Sequence, residues 1–212
     1  MKRVRVKFCG MTRTEDVRVA VAAGADAIGL VLTPRSKRHV DVRFARELRN
    51  AIPPYVTAVA LFMDDEPGWI AEAIAAVQPD LLQFHGAETA LECTRYGCRY
   101  VKAIGMASAA DPLAAIVEHP DATGFLLDSH AAGERGGSGR AFDWSRVPQA
   151  TNRPLILAGG LTCDNVGAAV RAVRPYAVDV SSGIESSPGV KDTQKMRRFI
   201  EEVERACSEI EN

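Results

Sequence analysis

Short apolar runs rich in Val, Ile, Leu and Ala alternate along this chain with longer stretches in which apolar residues recur at helical spacing, and about eight such pairs can be counted. The runs are Arg3 to Phe8, Ala27 to Leu32, Thr57 to Phe62, Leu81 to Phe84, Tyr100 to Ile104, Gly124 to Leu127, Pro154 to Ala158 and Ala177 to Val180. Most are continuous rather than alternating. Strands buried on both faces read this way, and such strands belong to parallel sheets covered by helices. The stretches between them open on acidic residues, at Thr14-Glu15-Asp16, Asp41, Glu66, Glu88 and Asp111, where an anion complements the helix dipole. Another helix is expected from Asp164 to Arg174, stopped by Pro175. The last, from Asp192, carries Met196, Phe199, Ile200 and Val203 on one face and Glu201, Glu202 and Glu204 on the other.

Eight β–α units of about 26 residues each use up nearly the whole length. They predict an α/β protein with a single-domain (β/α)8 barrel over residues 1–212, a doubly wound open sheet being the competing architecture. No G-x-G-x-x-G follows the first strand, which weighs against the dinucleotide-binding version of that sheet. Both folds place chemistry where strands end and loops begin.

Charge narrows the function classes. The chain has 26 Lys and Arg against 27 Asp and Glu, a formal net charge of −1, so no nucleic-acid partner is expected, although a local basic cluster still suits one small anion. Its 47% hydrophobic content is enough for a packed core and excludes a disordered chain. The five cysteines, Cys9, Cys93, Cys98, Cys163 and Cys207, form no C-x-x-C pair, so neither a disulfide framework nor a zinc site is indicated. Arg5 and Lys7 interrupt the start, and Gly24, Asp26 and Gly29 break the apolar stretch from Val19 to Leu32. The expectation is therefore a cytoplasmic chain with no membrane partner.

The strand ends are polar and glycine-rich. Gly159-Gly160 follows the seventh run, and Ser181-Ser182-Gly183 the eighth. Bare backbone N–H groups and two serine hydroxyls on adjacent loops form a receptacle for phosphate, although each pair also makes a tight βα turn. Cys9, before Gly10, would project its thiol into the barrel mouth as a base or nucleophile, or serve as a small buried hydrophobe. Lys7 and Arg13 stand near enough in sequence to favour a thiolate. Asp128 ends the sixth strand among apolar neighbours, where a raised pKa would suit a general acid; an aspartate there equally serves as a cap or an ion-pair partner. From Ser129 to Arg140 runs a long glycine-rich loop, of the kind that forms lids. Pro34-Arg35-Ser36-Lys37-Arg38 concentrates cationic charge and could hold a carboxylate, or be a solvated basic loop. His85 would bond a substrate or fix its own loop. His39, His119 and His130 lack ligand partners at useful spacing, so no metal is assigned.

With these residues in hand the chain closely resembles the phosphoribosylanthranilate isomerase family. The resemblance rests on Lys7-Phe8-Cys9-Gly10-Met11-Thr12, Gly29-Leu30-Val31 through Pro34 and Ser36-Lys37-Arg38, Gln83-Phe84-His85-Gly86, Leu127-Asp128, and Gly136-Gly137-Ser138-Gly139 with Phe142-Asp143-Trp144. It continues through Ala158-Gly159-Gly160-Leu161 with Asn165-Val166, and Val178-Asp179-Val180-Ser181-Ser182-Gly183-Ile184-Glu185. Single pieces are weak; the whole set in this order is highly specific. Phe84, Thr33 and Cys163 depart from the family's usual pattern.

The resemblance implies a single-domain TIM barrel that uses no cofactor and carries out an Amadori rearrangement in tryptophan biosynthesis. It implies Cys9 as general base, Asp128 as general acid and Arg38 on the anthranilate carboxylate. Gly159, Gly160, Ser181, Ser182 and Gly183 would serve the phosphate, with Lys7, Gln83, His85 and Asp179 among the substrate contacts and the glycine-rich segment after Asp128 mobile. The partner is a small phosphorylated substrate, and the chain is a monomer or homodimer. Two rivals remain: the related aminoaldose isomerase of histidine biosynthesis, which calls for aspartate where Cys9 stands, and a non-catalytic phosphate-binding barrel, which needs no acid and base.

Overall fold

Strands β1 (Arg5–Cys9), β2 (Ala27–Val31), β3 (Thr57–Phe62), β4 (Leu81–Phe84), β5 (Tyr100–Gly105), β6 (Gly124–Asp128), β7 (Leu155–Leu157) and β8 (Ala177–Val180) pair in chain order, and β8 returns to pair with β1. Every pairing is parallel. That last pairing closes a barrel and removes the open-sheet alternative. The computed structural model describes residues 3–107, 111–129, 142–148 and 151–211. The segment from Ser129 to Arg140 expected to be mobile lies, from residue 130 on, outside the described residues.

Helices α1 (Thr14–Ala23), α2 (Val42–Asn50), α3 (Pro67–Val77), α4 (Ala90–Thr94), α5 (Pro112–Val117), α6 (Val166–Val173) and α7 (Thr193–Glu211) follow the strands. Between β6 and β7 the described residues contain one 3-10 turn, Trp144–Arg146. After β8 a short hairpin, β9 (Glu185–Ser187) with β10 (Val190–Lys191), precedes α7.

Local chemistry explains the boundaries. Asp41 accepts a hydrogen bond from the Phe44 N–H and caps α2, and Gly24 takes the left-handed backbone that closes α1, with φ 103°. Glu88 does not open α4 as its position suggests. Thr89 and Glu92 form a reciprocal capping box there, and Glu88 turns inward.

Alternation along each strand separates two apolar layers. On β1, Val6 and Phe8 face the helices, and Phe8 meets Phe199 of α7 edge-on at 6.0 Å between ring centroids. The barrel interior holds a smaller set, Val101, Ala103, Leu126 and Ala158 on one side and Cys9, Val31 and Leu61 on the other. Both faces of the strands are thus buried, as their continuous apolar character requires. Among the described residues no helix is long and apolar enough to cross a membrane.

Candidate active site

A pocket of about 600 Å³ opens at the C-terminal ends of the strands. Cys9, Arg38, Gln83, His85, Asp128, Gly159, Gly160, Asp179, Ser181 and Ser182 all line it, with Val31, Leu61, Met63 and Leu161 as apolar wall. Lys7 and Gly183, expected among the direct substrate contacts, do not. Lys7 lies one inward-facing step below Cys9 on β1, and Gly183 is pressed against the backbone of the loop after β7.

The floor beneath Cys9 is a buried ion pair. Lys7 and Asp179 are in register across β1 and β8, and Nζ donates to Oδ2 at 2.9 Å with both side chains 8% exposed. Burial pulls the Lys7 ammonium down, but Asp179 and Cys9 outweigh it and its pKa stands above the ordinary value. Burial pushes the Cys9 thiol up, opposed by Lys7 and reinforced by Asp179; the net direction is up, so the resting group is the thiol. Asp179 Oδ1 is buried without a hydrogen-bond partner among the described residues, an acceptor left for whatever enters. Space for the sulfur comes from β2: a methyl group on Gly29, the register partner of Cys9, would lie 2.7 Å from Sγ.

Arg38 reaches the same rim from the loop after β2. Its Nε and one terminal nitrogen donate to the two carboxylate oxygens of Glu185 at 2.6 and 2.8 Å. Lys191 donates to the same carboxylate at 2.8 Å. Burial raises the Glu185 pKa, but Arg38 and Lys191 prevail and hold it below the usual value. Two cations on one carboxylate leave a net positive charge. The fork's second edge carries donors that Glu185 does not use.

On the far side, Asp128 ends β6 opposite Gly105 of β5. His85 Nε2 lies 3.5 Å from Asp128 Oδ2, and Gln83 Nε2 lies 3.2 Å from His85 Nδ1. The loop carrying His85 is tied down by a pair invisible to sequence reasoning. Buried Glu88 accepts from the N–H groups of Asp64 and Gly86 at 2.9 Å each and from Lys102 Nζ at 3.1 Å. No local pattern marks Lys102, because its side chain leaves the outer face of β5 and bonds to another loop.

The glycine turns meet as expected. Gly159 and Gly160 both have positive φ, 79° and 65°, conformations that side chains with a Cβ avoid. A Cβ on Gly159 would sit 2.3 Å from the Ser129 nitrogen, and one on Gly183 would sit 1.9 Å from the Leu161 carbonyl oxygen. The loops after β6, β7 and β8 are therefore in van der Waals contact. Asn165 fixes the middle one, donating to the Gly160 carbonyl and accepting from the Thr162 N–H. Ser182–Ile184 forms a single 3-10 turn, whose leading N–H groups have no partner within the turn. Among the described residues no group of three or more His, Cys, Asp or Glu is placed to hold a metal ion.

Comparisons with known proteins agree with one another. The profile of the family described as "PRAI: N-(5'phosphoribosyl)anthranilate (PRA) isomerase" matches residues 6–202. The N-(5'-phosphoribosyl)anthranilate isomerase of Halorhodospira halophila is 51% identical over 203 residues, covering 96% of this chain and 98% of the relative. The crystal structure of the phosphoribosyl anthranilate isomerase from Thermotoga maritima superimposes with a TM-score of 0.85 at 38% identity, covering 95% of this chain and 99% of that one. A structure of such an isomerase in complex with reduced 1-(o-carboxyphenylamino)-1-deoxyribulose 5-phosphate matches with a TM-score of 0.83 at 35% identity over the same shares.

Proposed function

The chain belongs to the N-(5'-phosphoribosyl)anthranilate isomerase family, and we propose that Cys9 and Asp128 are the base and acid of its reaction. That reaction converts N-(5'-phosphoribosyl)anthranilate to 1-(2-carboxyphenylamino)-1-deoxyribulose 5-phosphate in tryptophan biosynthesis. The observation that carries the assignment is topological. Asp128 ends β6, Cys9 ends β1, and on the arc between them stand the glycine and serine turns of β7 and β8. A phosphate seated on those turns holds the ribose between acid and base, so that remote binding energy becomes orientation.

The steps follow from the positions. Asp128 protonates the furanose ring oxygen, the C1′–O bond breaks, and the nitrogen lone pair completes a Schiff base. With Gln83 donating to Nδ1, the ring hydrogen of His85 sits on Nε2 and faces the carboxylate that Asp128 becomes. The thiolate of Cys9 then takes the proton from C2′, and the C–H electrons neutralise the iminium to give an enolamine. That enolamine tautomerises to the ketone. One proton is given and one taken, as an isomerisation requires.

Arg38 takes the anthranilate carboxylate on the fork edge that Glu185 leaves free, and Asp179 Oδ1 accepts from a substrate hydroxyl. Val31, Leu61 and Met63 flank the aromatic ring. The Cys9 thiol has its pKa raised, which makes its thiolate scarce but strongly basic. Lys7 acts from below, stabilising that thiolate rather than touching substrate. Five free thiols, one of which must stay reduced to act as base, fit a reducing cytoplasmic compartment. The test is turnover: purified protein should abolish the fluorescence of N-(5'-phosphoribosyl)anthranilate and yield the ribulose product. Absence of turnover would refute the reading.

A further inference from the structure

We propose that the opposite end of the barrel holds a second anion site, which takes a small polyanion such as a diphosphate or a tricarboxylate. A cavity of about 440 Å³ lies there, at the N-terminal ends of β7, β8 and β1, far down the barrel axis from Cys9 and Asp128. Four arginines, Arg3, Arg5, Arg153 and Arg174, stand in its wall, and among the described residues no Asp or Glu lines it. Its apolar surface includes Val147, Leu155, Val173 and three prolines. A volume of this size suits a small ligand.

Hydrogen bonding leaves most of the donors free to meet one. Arg5 lies over the Tyr176 ring, its guanidinium carbon 4.1 Å from the centroid, a stacking that orients the fork without using its N–H groups. Arg153 gives one nitrogen to the Pro120 carbonyl. Arg3 gives one to Asp26 and Gly24. Arg174 sits at the left-handed C-cap of α6, with φ 50°. Among the described residues the four cations face one paired carboxylate, Asp26, an excess of three positive charges in a chain whose formal net charge is −1. Such focusing in a concave site attracts an anion. The frame is preorganised, because the Arg5 N–H donates to the Tyr176 carbonyl and the Tyr176 N–H to the Leu155 carbonyl, which stitches β1, β8 and β7 together beneath the arginines.

One charge is not enough for four guanidinium groups, so the occupant carries at least two. The active-site phosphate turns also bind anions, and the experiment must separate the two ends. Pyrophosphate and citrate are titrated calorimetrically, in separate runs at low ionic strength, into the purified full chain with its active site saturated by reduced 1-(o-carboxyphenylamino)-1-deoxyribulose 5-phosphate. Binding of one or both should persist. Arg174→Gln, at an exposed helix end, and Arg5→Gln should each raise Kd about tenfold, the scale of one charge-assisted hydrogen bond, and binding should weaken with salt. Isomerase kcat should be unchanged in both variants. Pyrophosphate binding without citrate binding would assign the site to phosphates, and the reverse to carboxylates. Loss of all binding when the active site is filled, or equal Kd in wild type and Arg174→Gln, would overturn the proposal.

Discussion

Gly29→Ala should damage the enzyme through one atom. The added methyl would stand 2.7 Å from Cys9 Sγ, 3.2 Å from its Cβ and 3.0 Å from its Cα. Ordinary carbon contacts need about 3.5–4.0 Å, so the sulfur must move by roughly 1 Å or β1 and β2 must part at the Cys9–Gly29 pair. Parting them strains the hydrogen bonds that the N–H groups of Gly10 and Met11 make to the Gly29 carbonyl. Overpacking of this kind costs about 1–3 kcal/mol of stability. A base displaced by about 1 Å can lose on the order of 10²-fold in rate. The assay is kcat by substrate fluorescence, beside denaturant unfolding. In a Cys9→Ala background the sulfur clash is gone, so the added stability cost of Gly29→Ala should shrink by about 1 kcal/mol, a coupling that a double-mutant cycle reads directly. Wild-type kcat within threefold and an unshifted unfolding midpoint would show that the thiol is not held where this geometry puts it.

Lys7→Met removes the cation that lowers the Cys9 pKa and strands Asp179 in the barrel. Stability should fall by about 3–5 kcal/mol, as for broken buried pairs, and the alkaline rise of kcat/KM should move to higher pH; an unmoved profile would sever Lys7 from the base. Arg38→Lys keeps the charge but loses the fork that spans Glu185 and substrate. Steady-state kinetics should show KM raised roughly tenfold, with kcat changed less. Burial, then Lys102, lowers the His119 pKa to about 4 from 6.5. The folded state thus binds the proton less readily than the unfolded chain, so stability is full above pH 6.5 and declines as pH falls toward about 4. His119→Gln should flatten that decline in urea titrations across this range.

Most of the barrel was legible because each strand is an apolar run whose ends fall where the polar, glycine-rich residues begin. Cys9, Asp128 and the two turns were found by that rule and share one pocket. What local pattern hides is pairing at long range. Arg38 reads as a carboxylate binder, yet its first partner is Glu185, 147 residues on, brought near only when β8 closes against β1. The resemblance puts Lys7 among the substrate contacts; register with Asp179, 172 residues away, places it in the floor beneath Cys9. Glu88 looks like a helix opener by position, and burial against Lys102 made it the anchor of the His85 loop. Gly29 carries no sign of its task, since the space it leaves is for a neighbour across the sheet.

The central claim is that two groups on opposite sides of one pocket move the proton. It is tested most directly by kcat for Cys9→Ala and Asp128→Asn, measured with folded protein on N-(5'-phosphoribosyl)anthranilate. Each substitution should lower kcat by at least roughly 10²-fold, the usual scale for general acid–base catalysis, with the unfolding midpoint retained. Wild-type turnover in either variant would contradict the account.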